Sequence, residues 1–257
     1  MPQPRLDELF VSYLQQRSTA AVAEPAVRES EVELHHAASL AIVDARQAFN
    51  DAIAVVGWLC DDRSAVAHVQ SPPGWGAFVH EQDTVVPIPF CVGHYPQMLR
   101  DVAPLLSAEP PSSLLAETAD PQEMNDVAAW GTNMLRGRRW AEATLAAAVL
   151  RMTRQEDKAR NLLGEVKRAA PAGWQPLLGN EEAALAWAAG DRRRAADLWT
   201  AHPLAARPPI LFNRGLAALF ADQTEEAGKL LHEAVQQLPE SSPWHHLGQL
   251  YLALAHR

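Results

Sequence analysis

The chain has 257 residues, of which 48% are hydrophobic and 21% charged, and its formal net charge is −9. This composition is close to the average of globular proteins and excludes global disorder. The negative charge argues against nucleic acid as the main partner. No apolar run reaches the roughly 18 residues of a membrane span, so no membrane partner is expected. Two cysteines, Cys60 and Cys91, and a start without an apolar leader favour the reducing cytoplasm.

Charge and proline divide the sequence into two regions. Residues 1–120 carry 6 basic and 16 acidic side chains, whereas residues 121–257 carry 16 basic and 15 acidic ones. The Pro-Pro-Ser-Ser run at 110–113 cannot lie within a helix and predicts a linker. We therefore expect an acidic, mostly helical region over residues 1–107, a Pro/Ser-rich linker over 108–120 and a second domain over 121–257.

Helical spacing dominates the beginning of the N-terminal region. Leu6–Gln16 repeats its apolar residues every three or four positions, which predicts a helix. Thr19–Arg28 is small, polar and interrupted by Pro25, so we interpret it as a tether. Glu31–Leu59 is rich in alanine and predicts two helices that are split near Asp44.

Residues 65–92 are ambiguous between helix and strand. Ala65–Val69 and Thr84–Val86 have the composition of short strands, but the prolines that follow the second restrict it to an edge or a loop. Apolar residues return at helical spacing over Tyr95–Leu106. We interpret this whole part of the chain as mostly helical.

The C-terminal end carries the signature of a repeat. Trp244, Leu247, Gly248 and Tyr251 form the pattern Trp-x2-Leu-Gly-x2-Tyr, which opens a tetratricopeptide repeat (TPR). Gly215 lies 33 residues before Gly248, close to the TPR period of about 34 residues. This end of the sequence therefore resembles a TPR protein.

The resemblance covers one unit and the start of a second. Leu211–Pro239 is similar to a complete TPR, and Trp244–Ala255 is similar to the first helix of the next unit or to a cap. In this resemblance Gly215 lets the two helices of the unit approach closely, and Ala227 lies opposite it. Neither helix buries its apolar face alone, so neighbouring units must stack. An ordinary helical bundle is the alternative for this stretch.

Upstream the repeat becomes irregular. The small residues Gly131, Ala183, Gly215 and Gly248 are separated by gaps of 52, 32 and 33 residues. The long first gap leaves room for an extra helix over roughly Glu156–Ala169. We predict an all-α protein, with an irregular TPR-like array of helical hairpins in the C-terminal half and a mostly helical N-terminal region.

Candidate reactive groups are few. His68, His80, Cys91 and His94 form the densest set of metal-ligating side chains, but no Cys-x2-Cys or His-x3-His pair anchors it. Cys91 and His94 are also the one Cys/His neighbourhood that resembles a nucleophile with its base. The sequence has no Gly-x-Ser-x-Gly motif and no phosphate-binding glycine loop. We therefore assign no catalytic, cofactor-binding or metal residue and expect no cofactor.

Two basic runs, Arg136–Arg139 and Arg192–Arg194, fall at predicted hairpin turns. We interpret them as solvated side chains paired with nearby acids such as Glu142 and Asp197.

The TPR resemblance implies a binding surface. In TPR proteins the first helices of the units line a concave groove that receives a peptide or a partner helix. The corresponding peptide-binding groove of this chain would be lined by Asn180, Trp187, Phe212, Leu216, Phe220, His245 and Gln249. The alternative is that the aromatic members of this set belong to the core.

The expected function is a cytoplasmic, non-catalytic scaffold or adaptor that binds another protein or a peptide segment. A second interpretation is an enzyme or metal-binding module in the N-terminal half, with the TPR-like half as its docking arm. A third is a self-assembling structural subunit, in which Trp244–Ala255 stacks on another copy to form a homo-oligomer.

Overall fold

The computed structural model describes residues 25–60, 66–78, 85–99, 102–106 and 119–256. The helix predicted over Leu6–Gln16 and nearly all of the predicted linker over 108–120 lie outside the described residues. The chain divides into two compact units, Met1–His36 and Ala37–Arg257. The second unit contains nearly all the described residues and is predominantly helical, as the sequence predicts.

Two helices begin the described part of the N-terminal region. Helix α1 spans Pro25–Ala41 and helix α2 spans Ala45–Leu59. Asp44 caps α2 by accepting a hydrogen bond from the amide of Gln47 at 2.7 Å, which confirms the predicted split. The interpretation of Thr19–Arg28 as a tether is wrong at its end, because α1 begins at Pro25, where a proline fits the first turn of a helix.

The helical interpretation of the segment that follows is wrong. Val85–Pro87 forms strand β1, which pairs antiparallel with strand β2, His94–Pro96. Among the described residues of the predicted helix over Tyr95–Leu106, Val102–Leu105 is the α-helical part, and this single turn is α3. Apolar spacing alone does not separate the two structures over so few residues, and the tertiary partners described below decide between them.

Eight helices follow in the second unit between residue 119 and residue 256. These helices are α4 (Pro121–Arg136), α5 (Trp140–Met152), α6 (Glu156–Ala169), α7 (Gln175–Ala188), α8 (Arg192–Thr200), α9 (Pro208–Leu219), α10 (Thr224–Gln237) and α11 (Pro243–Ala255). A short 3-10 turn, Ala172–Trp174, precedes α7. Each helix packs against the next one along the chain, and the predicted extra helix over Glu156–Ala169 is confirmed as α6.

Four of the connections between these helices share one turn geometry. Arg138, Arg154, Gly190 and Asp222 have left-handed backbone angles, with φ between 58° and 83°. In each turn the next amide donates to a carbonyl five residues earlier, as in the bond from Gln223 to Ala218 at 2.9 Å. This pattern closes a helix and reverses the chain. The repeated turn therefore gives a series of similar helical hairpins.

Helices α9 and α10 approach closely at Gly215. A Cβ atom added to Gly215 would lie 2.7 Å from Cγ of Leu231 and 3.2 Å from its backbone nitrogen. Gly248 has a similar role between α11 and α10, where an added Cβ would lie 2.5 Å from Cγ2 of Val235. The close approach that the sequence predicts at Gly215 is therefore present, and the three atoms nearest to the added Cβ all belong to Leu231.

This approach is tested by comparing Gly215→Ala with Gly164→Ala, an exposed position on α6 where an added Cβ meets no atom within 4 Å. Both changes gain helix propensity, so Gly164→Ala should raise the free energy of unfolding by about 0.5–1 kcal/mol. Gly215→Ala should lower it by about 1–2 kcal/mol, because overpacking outweighs that gain. Urea denaturation measures both. Equal effects of the two substitutions would contradict the close packing of α9 on α10.

Candidate functional site

Part of the groove predicted from the TPR resemblance is occupied by the chain itself. Residues 85–96, which we name the inserted segment, lie against the faces of α7, α9 and α11, which we name the inner groove. The tip of the segment is fully buried, with Ile88 and Phe90 at 0% exposure. Helix α2 also packs against α7 and α9. The N-terminal region therefore contributes to the same core as the hairpins.

The inserted segment turns sharply at its tip. The amide of Cys91 donates to the carbonyl of Ile88 at 3.2 Å, and Phe90 has a φ of 61°. Proline at the second position and a positive φ at the third are typical of a type II turn, in which glycine usually fills the third position. Phenylalanine in the left-handed region costs about 1–2 kcal/mol. Burial of its ring and the bonds to its carbonyl offset that cost.

Two asparagines of the inner groove hold the backbone of this turn. The Nδ2 atoms of Asn180 on α7 and Asn213 on α9 both donate to the carbonyl of Phe90, each at 2.9 Å. Asn213 Oδ1 also accepts from the amide of Val92 at 3.1 Å. Both asparagines are completely buried. The groove therefore recognises main-chain atoms of the segment.

The two asparagines are also separated by about one period of the repeat that the sequence predicts. They are 33 residues apart, and Asn213 Nδ2 donates to Asn180 Oδ1 at 3.0 Å. Trp199 on α8 fixes the orientation of the first amide by donating from Nε1 to the same oxygen at 2.9 Å. Residues one period apart are thus in direct contact, as stacked units require.

A buried ion pair lies beside the asparagines. Arg151 Nε donates to Glu181 Oε1 at 2.6 Å, and Nη2 donates to Oε2 at 3.3 Å. Arg151 Nη1 also lies 3.5 Å from the carbonyl of Cys91. Burial raises the pKa of the Glu181 carboxyl, and the charge and hydrogen bonds of Arg151 oppose that rise. The pair links α5 to α7 and orients Nη1 of Arg151 toward the inserted segment.

A second polar network joins the segment to α2 and α11. Trp244 Nε1 donates to Tyr95 Oη at 2.7 Å, and this hydroxyl donates to Asp51 Oδ2 at 2.6 Å. Tyr251 Oη accepts from the amide of His94 at 3.2 Å. Burial raises the pKa of the Asp51 carboxyl, and the hydrogen bond from Tyr95 opposes that rise. Two residues of the TPR signature, Trp244 and Tyr251, therefore bind the inserted segment.

Cys91, the candidate nucleophile, is buried, and His94, the candidate base, is partly buried. Burial raises the pKa of the Cys91 thiol to about 12. Burial and the neighbouring charge of Arg151 lower the pKa of His94 to about 4. Among the described residues, which include exposed His68 but not His80, no three His, Cys, Asp or Glu side chains are grouped as a metal would require.

The predicted groove residues separate into three places. Asn180, Phe212 and Leu216 are fully buried, and Leu216 Cδ1 would lie 2.9 Å from a Cβ added to Gly93 of the inserted segment. His245 and Gln249 lie on α11, where Gln249 Nε2 and His245 Nε2 are 3.1 Å apart. The remaining two, Trp187 and Phe220, line a cleft on the surface.

This cleft, which we name the outer cleft, has a volume of about 380 Å³. It lies between α8 and the α9–α10 hairpin. The ring centroids of Trp187 and Phe220 are 5.7 Å apart and form its apolar wall. Arg192, Arg193 and Arg214 also line it, and the Arg192 guanidinium carbon lies 5.2 Å from the centroid of the Trp187 ring. Its volume lies within the usual range of ligand pockets, about 300–1,000 Å³.

Sequence reasoning missed most residues that hold the inserted segment. Asn213 is one of the missed residues. It lies 33 residues after Asn180, which was predicted, and this spacing could have identified it. Arg151, Glu181 and Asp51 carried no such signal, because they act through partners distant in sequence.

No protein-family model, curated protein or solved structure matches the chain. No helix among the described residues is both long enough and apolar enough to cross a bilayer.

The asparagine contact is tested with Asn213→Ala. The variant leaves the buried amide of Val92 without its acceptor, so the free energy of unfolding should fall by about 1–3 kcal/mol. Asn133→Ala, at an exposed position on α4, is the matched control and should change it by less than about 0.5 kcal/mol. Denaturant unfolding measures both. A loss no greater than that of the control would show that the segment does not depend on Asn213.

His94 predicts an acid-sensitive fold. The folded chain keeps this imidazole neutral down to a pH of about 4, whereas the unfolded chain protonates it below about 6.5. The contribution of His94 to the free energy of unfolding should therefore fall by about 3 kcal/mol as the pH drops from 6.5 to 4. His94→Gln should lack this contribution, and His232→Gln, at an exposed position on α10, should keep it. Unfolding curves across that pH range measure the difference, and identical slopes for His94→Gln and the parent would contradict it.

Proposed function

We propose that the chain is a non-catalytic adaptor, in which a TPR-like array of helical hairpins binds a segment of another protein. The repeat spacing supports this proposal, since Asn180 and Asn213 are 33 residues apart and are hydrogen-bonded to one another. The four similar hairpin turns also support it. Such arrays act through the surfaces that their stacked units create. The compartment we propose is the cytoplasm, in keeping with a cysteine content of only two residues.

The alternative of an enzyme or metal module is less well supported by the same geometry. A cysteine nucleophile must be a thiolate and needs access to its substrate. Cys91 is 1% exposed and its pKa is about 12, so its thiol stays protonated. His94 is the adjacent base, yet its Nδ1 is buried without a hydrogen-bond partner among the described residues. Neither group is placed to react with a substrate from solution.

The site we propose for the partner is the outer cleft. The observation that carries this choice is that the inserted segment fills the inner groove, while partly exposed Trp187 and the edge of the largely buried Phe220 line an open surface cleft. A partner in the inner groove would have to displace Phe90, whose ring is fully buried. Tryptophan and arginine are the residue types that most often dominate binding energy at protein interfaces. Both types line the outer cleft.

Selection from an unbiased library of displayed peptides tests this function. Full-length protein should enrich peptides that share a motif, and Trp187→Ala should lose at least about tenfold in affinity for them because an aromatic anchor is removed. Trp130→Ala, at a half-buried tryptophan on α4 outside the cleft, is the control and should bind normally.

Because Trp187 also contacts Trp199, circular dichroism must show that the Trp187→Ala variant is folded. Ala221→Trp gives a second, independent test, since it fills the cleft from an exposed position. Enriched peptides that bind both cleft variants as well as the parent would refute the outer cleft as the binding site. A selection that enriches no peptide would refute the proposed function.

A further inference from the structure

We propose that the outer cleft takes an acidic peptide segment, in which carboxylates flank one apolar side chain. This inference rests on the proposed function and specifies the chemistry of its partner. It follows from the charge, the hydrogen-bonding groups and the apolar wall of the cleft.

The residues lining the outer cleft carry an excess of positive charge. They include three arginines, Arg192, Arg193 and Arg214, against a single carboxylate, Glu226. This excess occurs on a chain whose formal net charge is −9. A local field of opposite sign to the whole molecule attracts anionic segments to that place. The overall charge at the same time disfavours a nucleic acid.

The arginines differ from other basic residues nearby in how they are paired. In the neighbouring cleft between α6, α7 and α8, Glu182 binds both Lys167 and Arg194, the latter at 3.0 Å. In the outer cleft, Arg193 is exposed and has no ion pair or hydrogen bond within the described part of the chain. Arg214 Nη1 makes one contact, 3.4 Å from the carbonyl of Ala205. An incoming carboxylate therefore meets the guanidinium donors of Arg193 and Arg214, which no carboxylate of the described residues holds.

The apolar wall sets the second requirement. Trp187 and Phe220 pack against each other, and the small side chains of Ala196, Ala217 and Ala221 leave the space beside them open. An apolar side chain placed there would bury its surface against the two rings. Guanidinium groups bind carboxylates through paired N–H donors in a fixed plane. An apolar residue between acidic ones satisfies both parts of the cleft.

Fluorescence anisotropy with two labelled peptides tests this inference on the full-length protein. One peptide carries a phenylalanine between pairs of glutamates, and the other carries glutamines in their place. The glutamate peptide should bind at least about tenfold more tightly, and the difference should shrink as salt is added. Arg193→Glu should weaken its binding by at least about tenfold. Arg168→Glu, the same charge change at an exposed position on α6, is the control and should have little effect.

Three results would overturn the acidic partner. These are equal binding of the two peptides, equal effects of Arg193→Glu and Arg168→Glu, and no binding of the glutamate peptide up to about 1 mM, the limit of weak specific affinity. Tighter, Arg193-dependent binding of a short single-stranded oligonucleotide would overturn the peptide class. The proposed function survives each of these results if the display selection still enriches peptides that require Trp187, so failure of the two proposals is distinguishable.

Discussion

The carbonyl of Phe90 is the point on which the organisation of this protein depends. Two buried amides, from Asn180 and Asn213, donate to it at the same distance of 2.9 Å. Each amide comes from a different hairpin, so the bond pair also fixes how the two hairpins stack. A buried carbonyl without these donors would be costly, and so would the amides without an acceptor. The inserted segment and the helical array therefore require each other.

This mutual requirement determines which surfaces remain for function. An array of hairpins usually presents its inner face to a partner, but here that face is covered by residues 85–96 and its asparagines are at 0% exposure. Trp187 at the end of α7 and Phe220 directly after α9 line the outer cleft, which the inserted segment does not fill. The arginines at the start of α8 give that cleft its charge. The protein thus binds its own chain on one face and has an open cleft of different composition on another.

The features that could be predicted from the sequence are those set mainly by local helix-forming patterns and by the repeat spacing. Alanine-rich composition and the spacing of small residues follow from local structure and from the repeat, and they predicted α6, the split at Asp44 and the close approach at Gly215. The strands and the occupied groove depend on partners far along the chain, since Phe90 and Asn213 are 123 residues apart. The sequence alone does not show which of two side chains so far apart along the chain will be in contact. The left-handed turn at Asp222 was equally hidden, because glycine is the usual marker of that geometry.

Native-state hydrogen exchange of the inserted segment tests the central claim most directly. The amides of Val92 and His94 donate to Asn213 and Tyr251, two residues of the array. If the segment is part of the common core, both amides should exchange only through global unfolding, with the same opening free energy as core amides of α9. Exchange of these two amides through a smaller opening, while α9 stays protected, would contradict the account. It would show that the inner groove opens without unfolding the array.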